Sequence, residues 1–166
     1  MKKVNYEQLL KRINQDYKIT MLLKLYCHFA TVLTVVVFLT ILIFSIEDSI
    51  TKTVGFLVTL GAPFLLVSLL RKLINAPRPY EIYGVYTVPP KKKQGDSFPS
   101  RHAFSIFAIG TLCLFVEPIV GIITLALVLI MCACRVLLGI HFTRDVVTGA
   151  LIGIITSLIG AFILYK

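Results

Sequence analysis

Polar and apolar positions fall into long blocks along the chain rather than short alternations. Residues 1–20 mix charges with Val4, Leu9, Leu10, Ile13 and Ile19 at loosely helical spacing, which predicts an amphipathic helix lying along a membrane interface. Five apolar blocks follow, at about 22–46, 54–70, 100–116, 118–140 and 146–164. Each is judged against the ~20 residues that a helix needs to cross a bilayer, and the third is short for a full span. Pro63 is a candidate kink in the second block, and Pro118 is well placed as a first helical residue in the fourth. The pattern predicts an all-α polytopic membrane helix bundle of about five transmembrane helices, six at most, forming a single domain over 1–166.

Composition strengthens that picture. Hydrophobic residues make up 57% of the 166 positions and the mean hydropathy is +0.89, well above a soluble domain. The net charge of +9 gathers at the ends of the apolar blocks, which points to anionic lipid head groups rather than nucleic acid. No cleavable leader is expected, because Lys2 and Lys3 run into a polar stretch. Cys27, Cys113, Cys132 and Cys134 all lie in apolar blocks and read as packing residues, not a disulfide framework or a zinc site. His28, on an apolar helix, reads as a packed, hydrogen-bonded histidine.

The longest polar interval after the amino-terminal segment is 71–99, with four prolines before the closing Pro99, and reads as a structured loop. If the third block leaves this face and the fourth returns, "CRVLLGIHFTRD" (134–145) comes back beside "SFPSRH" (97–102). The second block ends there too. Arg71, Arg78, Ser100, Arg101, His102, Arg135, His141 and Asp145 then converge on one face from three places in the sequence. Arg135, inside an apolar run, either snorkels to the head groups or has a partner in a site. His141 and Asp145 are four apart, so a helical turn sets a carboxylate against one imidazole nitrogen and leaves the other available. Several guanidiniums with two imidazoles ask for phosphate.

These residues resemble the three blocks of the type-2 phosphatidic acid phosphatase (PAP2) family, which shares its site with vanadium haloperoxidases. The family's Lys-x6-Arg-Pro appears as "RKLINAPRP" (71–79), its Pro-Ser-Gly-His as "PSRH" (99–102), and its Ser-Arg-x5-His-x3-Asp as "CRVLLGIHFTRD". Arg71 stands for the lysine, with Lys72 one place late; Arg101 stands for the glycine and Cys134 for the serine. Larger relatives have six spans. The resemblance implies hydrolysis of a lipid phosphate monoester or diphosphate through a phosphohistidine. His141 is then the nucleophile, oriented by Asp145, and His102 the general acid. Arg71, Arg78 and Arg135 stabilise the transferring phosphate, which Ser100, Arg101 and the helix-start amides cradle. No metal or other cofactor is implied. Phosphatidic acid, phosphatidylglycerophosphate and undecaprenyl diphosphate are the candidate substrates, with lipid phosphotransfer or non-catalytic anionic-lipid binding as alternatives.

Around the site, Lys91, Lys92 and Lys93 are candidates to guide an anionic head group or to hold the loop at the surface. Tyr80, Tyr83 and Tyr86 are candidates to line a lipid access path or to form an interfacial belt, and Glu81 to meet a substrate hydroxyl. Lipid substrate and bilayer are the expected partners, with no nucleic acid and no obligate protein partner. With five spans the amino terminus shares the site's face, while the opposite loop carries Glu47, Asp48 and Lys52. The positive-inside rule then places the site on the cytoplasmic side of a multi-pass plasma-membrane protein.

Overall fold

The computed structural model describes residues 3–85 and 94–164. They form α1 (Lys3–Gln15), α2 (Tyr17–Asp48), α3 (Ile50–Ile74), the single turn α4 (Pro79–Ile82), α5 (Arg101–Val116), α6 (Pro118–Leu137) and α7 (Thr143–Leu164). Among the described residues α2, α3, α6 and α7 are long and apolar enough to cross a membrane, and α5 is a shorter apolar helix. The chain is a multi-pass membrane helix bundle.

Local chemistry explains the breaks. Asp16 ends the interfacial helix and caps α2, its carboxylate accepting from the amides of Lys18 (2.9 Å) and Ile19 (3.1 Å). Ser49 performs the same service for α3, and Asn75 closes that helix in the left-handed region (φ 42°). At Glu117-Pro118, Glu117 closes α5 through its amide to Cys113 O (2.8 Å), while Pro118 opens α6 where no amide is needed. Pro63 lies inside α3, which continues past it to Ile74. The fourth block ends earlier than its apolar run suggests, at Leu137, because Gly139 (φ +66°) turns the chain.

α5 is the centre of the bundle, with α7, α6, α2 and α3 around it. Its sixteen residues suffice because protein, not lipid, surrounds most of it: Phe104, Ile106, Phe107, Leu112 and Cys113 are all buried. The α5–α7 contact is close. A Cβ on Gly149 would fall on the Ser100 carbonyl, and one on Gly153 on the Phe104 carbonyl. Ser157 Oγ then donates to Ala108 O at 2.9 Å. The outer faces are apolar and exposed, as at Leu22, Leu73 and Ile163, and suit a hydrocarbon surround. His28 lies on such a face of α2, exposed beside Leu25 and Phe29, so the packed histidine expected there is not found.

α2 leads away from the site's end, α3 returns, α5 leaves, α6 returns and α7 leaves again. The interfacial helix therefore sits at the site. Tyr6 donates its hydroxyl to Val136 O (2.9 Å), and Leu10, fully buried, packs by Gly139.

Candidate active site

Two arginines and three short-range anchors shape the loop between α3 and α5. Arg71, in the last turn of α3, donates from Nη1 to Pro99 O (2.6 Å) and from Nη2 to Asp96 O. Arg78 donates from Nε to Gly95 O (2.9 Å), and more weakly from Nη1 to Ile140 O and Nη2 to Asp96 O, both 3.4 Å. The Gly95 amide is held by Glu81 Oε1 at 2.9 Å, the Asp96 amide by Asn75 Oδ1 at 3.3 Å, and the Ser97 amide by Ala76 O at 2.9 Å. Gly95 (φ +65°) has no room for a side chain, since a Cβ would fall on Asn75 Oδ1. Arg71 and Arg78 thus fold the loop carbonyls around themselves, which satisfies two buried cations.

The second half of the site is the turn between α6 and α7. His141, 1% exposed, follows that turn, and its Nε2 lies 3.4 Å from Arg135 Nη2. Asp145, in the first turn of α7, is fully buried. The Asp145 Oδ2 accepts from Ser97 Oγ at 2.5 Å and from the Phe142 amide at 3.0 Å; its Oδ1 faces Arg144 Nε at 3.5 Å. His141 Nδ1 is 3.8 Å from Asp145 Oδ2 but 3.4 Å from Ser97 Oγ. The direct imidazole–carboxylate bond expected from the spacing is therefore replaced by one that passes beside a serine, because His141 sits in the turn before α7 rather than on it. Burial pushes the His141 pKa down to about 4; Asp145 opposes this, while Arg135, Arg78 and Arg71 add to it. The site therefore favours the neutral imidazole.

Arg78, Ser100, Arg135, His141 and Asp145 come together as the sequence suggests. Arg71 joins through Pro99 and Asp96. Ser100 is fully buried, not exposed: its amide donates to Asp145 O (2.9 Å) and its hydroxyl accepts from the Ala103 amide (3.4 Å), so it caps α5 and ties it to α7. Arg101 and His102 occupy the first turn of α5, the end to which an anion is drawn. Arg101 lies over the Phe64 ring, 5.7 Å from its centroid. Lys72 is exposed. Tyr80 is 2% exposed, its amide bonded to Gly139 O (3.1 Å), so it packs inside rather than in an interfacial belt. Glu81 spends its carboxylate on the Gly95 amide. Tyr83 stacks edge-on against Tyr6. Tyr86, Lys91, Lys92 and Lys93 lie outside the described residues. Ser97 was not among the residues the sequence singled out; the signal was its place in the loop that must cover a buried carboxylate.

Two adjoining cavities of about 270 and 220 Å³ lie on the other side of α5, against α2 and α3, and share Phe64, Ser105 and Ile109. Arg101 and His102 line the mouth of the first, and apolar side chains such as Phe38 and Leu60 line the second.

Known proteins share this fold and part of this sequence. A bacitracin transport permease protein, BcrC, of Bacillus licheniformis is 35% identical over 63 residues, which are 38% of this chain and 31% of that protein. The aligned stretch is thus less than a third of that relative. The crystal structure of Aquifex aeolicus LpxE superimposes with a TM-score of 0.67 at 24% identity, covering 92% of both chains. That of a PAP2-type phosphatidylglycerolphosphate phosphatase from Bacillus subtilis gives 0.68 at 19% identity, over 97% of this chain and 85% of that one. These two likenesses speak for the fold. The PAP2 superfamily model matches residues 52–165, which hold every block described above, and the chain belongs to the PAP2 superfamily.

Proposed function

We propose that this protein hydrolyses the phosphate ester or diphosphate of a membrane lipid through a phosphohistidine on His141. The observation that carries the reading is a buried imidazole whose Nε2 faces Arg135, with Arg78 reaching the carbonyl of the neighbouring Ile140. Nε2 attacks phosphorus, the three guanidiniums stabilise the negative charge on the transferring group, and His102 gives its proton to the leaving oxygen. Water then cleaves the phosphoenzyme. Among the described residues Arg135 Nε is buried without a hydrogen-bond partner, a donor in place for a phosphate oxygen.

The cavities beside α5 support a lipid substrate, because an apolar path begins where Arg101 and His102 end. A hydrocarbon chain lying there leaves its phosphate at the mouth. Phosphatidylglycerophosphate, phosphatidic acid and undecaprenyl diphosphate are the substrates to compare, the first being the one that the description of the B. subtilis structure brings forward. The site shares its face with the basic interfacial helix, and the positive-inside bias puts that face in the cytoplasm. All four native cysteines are buried, so Gln94→Cys in the exposed loop offers a clean label. A membrane-impermeant maleimide is expected to reach it only after cell lysis; labelling of intact cells would reverse the orientation.

Phosphate release from these lipids in detergent with EDTA present, beside His141→Ala, tests the chemistry. Release is expected to survive EDTA and to fall at least ~1000-fold in the variant, as for a removed nucleophile. Transfer of the phosphoryl group to a lipid acceptor with little free phosphate would make the protein a phosphotransferase. Release indifferent to His141 would sink the phosphohistidine route, and none from any lipid would leave an anionic-lipid binder.

A further inference from the structure

The hydrogen bonds around His141 have a fixed direction. A guanidinium only donates, so Arg135 Nη2 at 3.4 Å makes Nε2 of His141 an acceptor. A neutral imidazole has one N–H, and it must then sit on Nδ1. From Nδ1 the Asp145 carboxylate is too far for a hydrogen bond, at 3.8 Å, while Ser97 Oγ is at 3.4 Å. Ser97 has one proton of its own, and at 2.5 Å it goes to Asp145 Oδ2. The chain of donors therefore runs from Arg135 to His141, from His141 to Ser97, and from Ser97 to Asp145. Ser97 is fully buried and its backbone is pinned to Ala76 O, so its hydroxyl is held in place from both ends.

We propose that Ser97 is a positioning residue for the nucleophile: it passes the orienting influence of Asp145 to His141 and fixes the tautomer with its lone pair on Nε2. This rests on the phosphohistidine reading above. When Nε2 bonds to phosphorus and the bond to the leaving oxygen breaks, the imidazole becomes a cation that keeps its Nδ1 proton. The leaving oxygen takes its proton from His102. Ser97 Oγ accepts more strongly from the cation, Asp145 stays ionised, and no proton need leave the chain.

The test has an arm that does not depend on turnover. In ¹⁵N-histidine-labelled protein in detergent, with His141→Gln used for assignment, His141 is expected to show a protonated Nδ1 and a bare Nε2. A wild-type spectrum with the proton on Nε2 would overturn the proposal outright. In Ser97→Ala, Nε2–H population is expected to appear and kcat to fall roughly 10- to 100-fold, the scale of one lost hydrogen bond to a charged group, with KM within about 2-fold. Ser97→Thr, which keeps the hydroxyl, is expected to restore both tautomer and most of the rate. Lost activity with an unchanged tautomer would reduce Ser97 to packing, and full kcat in Ser97→Ala would remove it from the mechanism. If wild-type protein released no phosphate from any lipid, the functional reading would fall, while the nitrogen spectrum would still decide the hydrogen-bond chain.

Discussion

The two flanks of α5 are built to opposite specifications. Against α7 there is no spare volume: Gly149 and Gly153 bring the backbones together, Ser157 bonds across, and the Ser100 amide reaches the Asp145 carbonyl. Against α2 and α3 the same helix leaves two cavities, bordered by Phe64, Ser105 and Ile109. The close flank fixes the register of the first turn of α5 against the turn that carries His141. On the proposed function, the open flank is where a lipid chain lies without a close fit. One helix therefore separates precision from tolerance, which suits chemistry at a phosphate attached to a flexible lipid.

Changes that fill each flank should have different signatures. Gly149→Ala places a methyl on the Ser100 carbonyl and must push α5 from α7. Phosphate release is expected to fall about 100-fold, the scale of an ångström-sized misplacement, with about 1–3 kcal/mol lost in thermal unfolding. Wild-type kinetics in this variant would show that the close flank does not set the site. Ile109→Trp fills the open flank instead. Here KM for a long-chain lipid phosphate should rise about 10-fold, equivalent to ~1.4 kcal/mol of binding, while a short-chain soluble phosphate is processed as before. Equal losses on both substrates would mean that the cavity does not hold the chain.

A pH profile probes the close flank more gently. The His141 pKa of about 4 lies below its usual value, so between about pH 6.5 and 4 the unfolded chain binds a proton that the native site refuses. Stability contributed by this group is complete above that window and declines as pH falls through it. The acid limb of kcat/KM should likewise break near pH 4 rather than 6.5. A limb at 6.5 would place His141 in a wetter site. At the small end, Lys11→Ala removes an exposed pair with Glu7 on α1 (2.6 Å), touches neither flank, and should change unfolding by less than ~0.5 kcal/mol.

Much of this was legible in the sequence, for identifiable reasons. Apolar blocks reveal spans because a backbone in hydrocarbon must be helical, and Glu117-Pro118 announced the turn between α5 and α6. The three blocks named Arg78, Arg135, His141 and Asp145 because chemistry restricts the residue types. What stayed hidden depends on pairing across loops, which has no period. Nothing in the order of residues says that Glu81 will hold the Gly95 amide, or that Ser97 rather than His141 will take the shortest bond to Asp145. Helix phase misled at His28, which faces outward, because an apolar segment with weak one-sidedness such as α2 does not declare its buried side.

The bond from Ser100 to Asp145 also bears on biosynthesis. The amide caps α5 at the start of the "PSRH" motif, and the carbonyl belongs to α7, which is made after every other described helix. Arg71, Arg78, Arg135 and His141 all precede α7, whereas Asp145 and the glycines that close against α5 arrive only with it. On the proposed function, a nascent chain that has not yet inserted α7 lacks the carboxylate behind His141, so hydrolysis waits on that helix.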